Sequence, residues 1–311
     1  MKIISLFSGA GGLDLGLIQA GNTVIWANDI DKDAVATYKE NIGDHIVCDD
    51  IKNIDISTLP DADVVVGGFP CQGFSQANRL RTLEDDRNQL YCFFYNTIKI
   101  KQPKFFIAEN VKGILSLGKG EAIKQIVSDF EAAGYITSVN LVNMADYGVP
   151  QTRQRVIIIG QRVDLGEKLR FKFPQPTHSK NSELPHWVSI REAIDHFPDP
   201  DKDNDVLNHI YSAYKVEYRN FTGHRETDPD KPSPTVLARG NGKGGVCAIP
   251  HYNGKRRLTI RESASVQTFP EDFHFVGTMN SCYRQIGNAV PVLFARKLGD
   301  ELVRLEKEEN V

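Results

Sequence analysis

A cysteine set among glycines and a proline is the feature of this 311-residue chain best suited to chemistry. In Gly67-Gly68-Phe69-Pro70-Cys71-Gln72-Gly73-Phe74-Ser75 the thiol follows a short apolar run, Asp63 to Val66, that reads as a strand. Glycine and proline neighbours expose and orient a side chain rather than pack it, so Cys71 is the expected nucleophile. Cys48, Cys92, Cys247 and Cys282 read as inert thiols. Glu109-Asn110 closes a second apolar run, Phe105 to Ala108; a glutamate there either exchanges a proton with a bound group or caps the next segment. Gln151-Thr152-Arg153-Gln154-Arg155 opens another strand, and arginines at i and i+2 share one strand face, as part of a site or as a surface charge pair. Phe7-Ser8-Gly9-Ala10-Gly11-Gly12 lets backbone approach a ligand closely. Its spacing is not the full dinucleotide fingerprint, and a plain strand–helix turn fits equally well. Asp29 follows a second strand and can take the two ribose hydroxyls of an adenosine, or cap a helix. Asp50, after a third short strand, can accept from an adenine amino group or sit in a turn.

These residues need a frame. Strands are expected at 2–7, 23–27, 63–66, 105–108, 135–143 and 154–160, with helices at 13–20, 31–42, 88–101 and 121–133. Such alternation predicts an α/β fold with a doubly wound, mostly parallel sheet, whose ligands lie at the carboxyl ends of the strands. Gly9, Cys71 and Glu109 all follow strand ends, so one edge should collect them. From about Phe173 prolines and polar loops replace the alternation. Helices return at 260–268 and 291–306. The division expected is 1–172 with 258–311 as one domain, and 173–257 as a smaller second one.

Composition sets the outer limits. Hydrophobic residues make up 41% of the chain and charged residues 25%, so a sizeable core is available. No apolar run reaches the ~18 residues of a membrane span. Five cysteines without CxxC spacing argue against a disulfide framework and against a zinc site, and fit a reducing cytosol. The net charge of −3 carries no global sign of nucleic-acid binding, but basic residues gather at 79–81, 153–155, 219–225 and 255–257, and a binding face can be local.

Taken together, Phe7 to Gly12, Gly68-Phe69-Pro70-Cys71-Gln72, Glu109-Asn110-Val111, Gln151 to Arg155, Arg261-Glu262 with Gln267 to Pro270, and Gln285-Ile286-Gly287-Asn288-Ala289-Val290-Pro291 resemble the ordered signature blocks of DNA (cytosine-5) methyltransferases. Their order and gaps are family-like, and they bracket the chain. Only 173–257 lies outside them, where that family keeps its target recognition domain; Thr235-Val236 is similar to a pair found there. The resemblance implies a Rossmann-like S-adenosylmethionine-dependent methyltransferase sheet and a methyl transfer to C5 of a flipped-out cytosine in double-stranded DNA. Cys71 would add to C6, with Glu109 at cytosine N3, Arg155 at O2, and Arg153 at a phosphate or supporting the loop. S-adenosylmethionine, leaving as S-adenosylhomocysteine, would be held by Phe7, Ala10, Gly11, Gly12, Asp29, Ile30, Asp50, Ile51, Gly68, Pro70, Leu90, Asn288 and Val290. Asp29 is shorter than the frequent glutamate, and Ile30 replaces a frequent aromatic. DNA contacts are expected from Gln72, Ser75, Arg79 and Arg81 in a closing loop, and from Arg219, Arg225, Arg239 and Lys243 in the recognition domain. No metal is required.

The resemblance further implies a bacterial or phage modification enzyme of a restriction system, cytoplasmic, monomeric on DNA, with a possible cognate endonuclease. Three rivals are methylation of tRNA cytosine, a non-catalytic DNA-binding relative and a nicotinamide dehydrogenase. The Gly73-Phe74-Ser75 loop, the presence of both Cys71 and Glu109, and the Gln151 and C-terminal blocks speak against them in turn.

Overall fold

Short, near-continuous apolar runs make strands that are buried on both faces, and nine strands form. They are β1 (Lys2–Leu6), β2 (Thr23–Asp29), β3 (Ile46–Cys48), β4 (Val64–Gly67), β5 (Phe105–Val111), β6 (Tyr135–Asn143), β7 (Gln151–Thr152), β8 (Gln154–Arg162) and β9 (Ser233–Pro234). The helices are α1 (Gly12–Gln19), α2 (Lys32–Asn41), α3 (Gln89–Lys101), α4 (Glu121–Ala132), α5 (Ile190–Ile194), α6 (Ile260–Val266), α7 (Met279–Asn288) and α8 (Val292–Glu309). The computed structural model describes residues 1–69, 89–181, 183–202, 204–218, 224–238 and 248–309, and these elements are those of the described residues.

Seven strands make one sheet in the order β3-β2-β1-β4-β5-β8-β6. β1 to β5 run parallel, and β8 enters antiparallel between β5 and β6. Alternate residues feed two cores. Ile3, Val64, Val66, Phe105 and Ile107 pack under α1, α2 and α8; Ile4, Val65, Phe106 and Ala108 pack under α3 and α4. The sheet is thus doubly wound, as the alternation predicts.

Two strands run further than the apolar runs suggest. β5 continues through Glu109 and Asn110 because β8 supplies ladder partners as far as Val111↔Arg155. β2 ends on Asp29, held by its pairing with Cys48 of β3. β8 starts at Gln154, as expected, but the Gln151–Arg155 block does not open it as one run: Gln151 and Thr152 form β7, which turns away to pair with β9, and Arg153 lies between the two strands. The helix at 279–288 is absent from the sequence-based expectation. Its buried face alternates apolar and polar residues, Cys282, Tyr283 and Ile286 with Ser281 and Gln285, and gives a weak periodic signal.

The smaller stretch shares a core with the carboxyl-terminal helices. Ile190, Ile194, Val236 and Ile249 pack with Leu258, Ile260, Phe275 and Ile286. Three arginines fasten it. Arg257 donates to the carbonyls of Ala248, Tyr214 and Lys215; Arg261 donates to those of Leu207, Pro270 and Phe273; Arg256 grips the buried Glu262 at 2.7 Å with both terminal nitrogens. Two members of the basic cluster at 255–257 are therefore committed inside the fold.

The first and last helices meet through glycine. A Cβ on Gly16 of α1 would lie 2.4 Å from the Val292 carbonyl oxygen and 2.5 Å from the Ala295 Cβ of α8. Gly16→Ala is expected to force these helices apart and lower stability by about 1–3 kcal/mol, measured as the urea unfolding free energy.

Candidate active site

The carboxyl ends of β1, β2, β4 and β5 open on one cavity of about 900 Å³. Phe7, Ser8, Gly9, Ala10 and Gly12 form its floor after β1. Asp29 and Ile30 stand after β2, Asp50 and Ile51 after β3, and Gly68 after β4. Glu109 and Arg155 close the far end, and Asn288 and Val290 arrive from the α7–α8 junction. Leu90 and Arg153 also line it. Gly11 does not; it is the left-handed N-cap of α1 (φ 86°), packed against Tyr38 and Ile42. Pro70, Cys71, Gln72, Ser75, Arg79, Arg81, Arg219, Arg239 and Lys243 lie outside the described residues. Arg225 is exposed.

Asp29 is not the helix cap that a turn reading allowed. That role belongs to Asp31, which accepts from the Asp33 and Ala34 amides. Each Asp29 oxygen takes one amide, Oδ2 from Gly9 and Oδ1 from Asp31, both at 2.8 Å. Each keeps a lone pair for a further donor. Burial pushes this carboxyl up, opposed by the Asp31 and Gly9 amides. Asp50 accepts from the Lys52 amide at 3.1 Å and begins a short 3₁₀ turn at the rim. Ile30 is 65% exposed there, an apolar side chain with one face free.

At the other end Arg155 Nε sits 2.8 Å from Glu109 Oε1, both side chains about seven-eighths enclosed. The ladder explains the pair: Glu109 is opposite Ile157, and Arg155 lies two residues along β8 on the same face. Gly68 leaves room for the carboxylate, since a Cβ there would stand 3.2 Å from Glu109 Oε2. Asn110 donates at 2.9 Å to the carbonyl of Phe69, which anchors the chain just before Pro70 and Cys71. Arg153, 1% exposed, donates to the carbonyls of Val236 (3.1 Å) and Gly287 (3.0 Å). Burial and neighbouring Arg155 push its guanidinium down to about 9, still protonated at neutral pH. Both terminal nitrogens are thus committed to backbone carbonyls, the geometry of the loop-supporting task among the two expected of it.

Several supporting residues receive no role from the sequence, although the blocks holding Gln151, Gln154, Thr235 and Gln267 are singled out there. Gln151 and Gln267 are fully buried and joined at 2.7 Å; Gln151 also accepts from the Val236 amide, and Gln267 donates to the Ile286 and Ala289 carbonyls. Lys112, Asn143, Thr152, Gln154 and Thr235 line a second, polar recess beside Arg155. Asp14 is wholly buried, accepting from Ser5 Oγ at 2.6 Å and Tyr38 Oη at 2.9 Å. A charge on the otherwise apolar stretch Leu13 to Leu17 was the available signal.

The model of the C-5 cytosine-specific DNA methylase family matches residues 1–304. The chain belongs to that family. This DNA methylase is 42% identical to the Type II methyltransferase M.NgoFVII of Neisseria gonorrhoeae, over 93% of this chain and 83% of that protein. It is 35% identical to M.BsuRI of Bacillus subtilis, over 97% and 79%. A prophage-encoded DNA modification methyltransferase of E. coli has a similar structure, with a TM-score of 0.78, 25% identity and 99% of each chain covered. The family's reaction is methylation of DNA at cytosine C5, with S-adenosylmethionine as methyl donor. The methylase cavity fits that donor. It offers a carboxylate with spare lone pairs, an exposed apolar side chain, and at Gly9 a backbone with no atom within 4 Å of where a Cβ would be. No helix among the described residues is long and apolar enough to cross a membrane.

Burial raises the Asp14 carboxyl to about 6. Between roughly pH 4 and 6 the folded methylase holds a proton that the unfolded chain has lost, so this group's stabilising contribution is lost as pH rises through about 6. Asp14→Asn is therefore expected to gain about 3 kcal/mol relative to wild type between about pH 4 and 7.5 in urea unfolding.

Proposed function

We propose that this methylase is the modification enzyme of a Type II restriction system, acting on a flipped-out cytosine through a covalent Cys71–C6 adduct. The observation that carries the site assignment is the continuity of one cavity, from Asp29 at one end to the Glu109–Arg155 pair at the other. A donor and a base held in one enclosure can react without diffusing apart.

The chemistry follows from the residues. Cytosine C5 is a weak nucleophile. A thiolate adding to C6 makes C5 enamine-like, dividing one hard step into easier ones. Cys71 supplies that thiolate. Glu109 bonds cytosine N3 and feeds a proton to the ring as the sulfur adds. Arg155 stabilises the charge growing on O2. Without a base Glu109 Oε1 lies 2.8 Å from Arg155 Nε yet has no hydrogen-bond partner among the described residues; the entering ring offers its N3 to Glu109 and its O2 to Arg155. Bound S-adenosylmethionine supplies an electrophilic methyl group. Loss of the C5 proton and β-elimination then release Cys71. Phe7, Ala10, Gly12, Asp29, Ile30, Asp50, Ile51, Gly68, Leu90, Asn288 and Val290 hold the cofactor, with Pro70 beside them in sequence. Gly11 serves by shaping α1, and Arg153 by fixing Val236 and Gly287.

The target base must leave the duplex to reach this enclosure. Gln72, Ser75, Arg79 and Arg81 close on the DNA, and Arg219, Arg225, Arg239 and Lys243 meet it from 173–257, the target recognition domain; 1–172 and 258–311 form the catalytic domain. The relatives' Type II designation supports the restriction-system reading, a bacterial cytoplasmic setting and a cognate endonuclease. We further propose that it acts as a monomer on DNA.

Bisulfite sequencing of DNA from cells expressing the chain is expected to show methylcytosine at one short recurring sequence; unmodified DNA would refute the reading. Cys71→Ser should keep cofactor and DNA binding and lose turnover by at least about a thousandfold, with no adduct to a 5-fluorocytosine duplex. Asp29→Ala should weaken cofactor binding about tenfold while leaving DNA affinity unchanged, checked by calorimetry with S-adenosylhomocysteine.

A further inference from the structure

We propose that Asp14 is a positioning residue for the cofactor loop, acting through Ser5 and Ser8. The proposal rests on the cavity being the cofactor site. Ser8 Oγ lies 2.9 Å from Ser5 Oγ and 3.2 Å from the Ser5 carbonyl, and Ser5 Oγ lies 2.6 Å from Asp14 Oδ1. Tyr38 Oη reaches Asp14 Oδ2 at 2.9 Å and His45 Nε2 at 3.0 Å.

An ionised carboxylate only accepts, and that gives the chain a direction. Ser5 must turn its hydrogen to Asp14, which leaves its lone pairs for Ser8. Tyr38 likewise gives its hydrogen to Asp14, so His45 Nε2 is the donor to Tyr38. The Ser5 and Tyr38 hydroxyls are thus both fixed on the carboxylate, and Ser8 gives its one hydrogen to Ser5, with Oγ at 2.9 Å and the carbonyl at 3.2 Å as acceptors.

Ser8 is where this order matters. It stands between Phe7 (φ 57°) and Gly9 (φ 58°), two left-handed residues flanking one serine. Phe7 carries a side chain in a region that costs about 1–2 kcal/mol, so the turn needs external restraint. Part comes from the Ser8 amide, which donates to the Asn28 carbonyl at 2.9 Å, and from the Gly9 amide on Asp29. The side-chain part comes from Asp14 through Ser5. Phe7, Gly9 and Ala10 all line the cavity, so a turn that loses its restraint presents a different floor to the cofactor.

The test uses the full-length enzyme with Ser5→Ala, Asp14→Ala and the double variant, reading KM for S-adenosylmethionine, kcat at saturating cofactor, and melting temperature. Each single variant is expected to raise KM about five- to tenfold with kcat within about twofold. The double variant should be no worse than either single one, because the second cut falls on a chain already broken. Asp14→Asn keeps an oxygen for Ser5 and should stay within about twofold of wild-type KM. Effects that multiply, a KM unmoved by Asp14→Ala, or a shift confined to melting temperature would each overturn the proposal. If Asp14→Ala does not fold, Asp14→Ser, too short to reach Ser5, replaces it under the same expectations. Asp29→Ala serves as the reference: weakened cofactor binding there with an unmoved Asp14→Ala dismisses the chain alone, whereas an unmoved Asp29→Ala removes the cavity assignment and this proposal with it.

Discussion

The antiparallel ladder between β5 and β8 is the constraint on which the site depends. It extends β5 past its apolar run, so that Glu109 and Asn110 lie on a paired strand rather than in a loop. It sets Arg155 diagonally across from Glu109, at ion-pair distance. It also lets Asn110 hold the Phe69 carbonyl, and thereby the segment entering Pro70 and Cys71. Strand-borne groups are placed more tightly than loop-borne ones, and a group that must meet a ring atom gains most from such placement. A slip of one residue in this register would send Glu109 to the opposite face.

Much of this is legible in the amino-acid sequence. Apolar runs locate the strands and helices of the sheet, and the glycine loop, Asp29, Gly68 and Glu109 converge where strand ends are expected to meet. The residues beyond reach share one property: their partners are distant in sequence. Nothing local in Gln267 shows that it will bond Gln151 and two carbonyls near α8. Arg153 and Arg155 look alike as a pair, yet a break between β7 and β8 turns one to backbone carbonyls and the other to a carboxylate. Arg256 and Arg257 read as part of a basic face, and the fold uses both to fasten its own loops. Helix α7 is hidden because buried polar residues interrupt its stripe.

These hidden residues have a common physical task. Around the cavity the polypeptide is often irregular, at 236–238, 267–270 and 289–291, and irregular backbone and helix ends leave carbonyls without partners. Gln151, Gln267, Arg153 and Arg261 supply the missing donors from inside the protein. The turn after β1 is held in a related way, its Gly9 amide by Asp29 and its Ser8 side chain by Ser5, which bonds Asp14. A rigid surround is thus obtained without regular secondary structure, at the expense of burying charged and amide side chains.

The packing of α8 on α1 has a further consequence for biosynthesis. Asn22 bonds the Gly299 carbonyl across 277 positions, and Asn288 and Val290 stand beside the first loop. On the ribosome the strand–turn–helix of β1 and α1 emerges long before its companion wall, which lies more than two hundred and fifty residues further along the chain. A nascent chain therefore carries an incomplete cavity until α8 has been made, and the cavity closes in one step rather than growing with length.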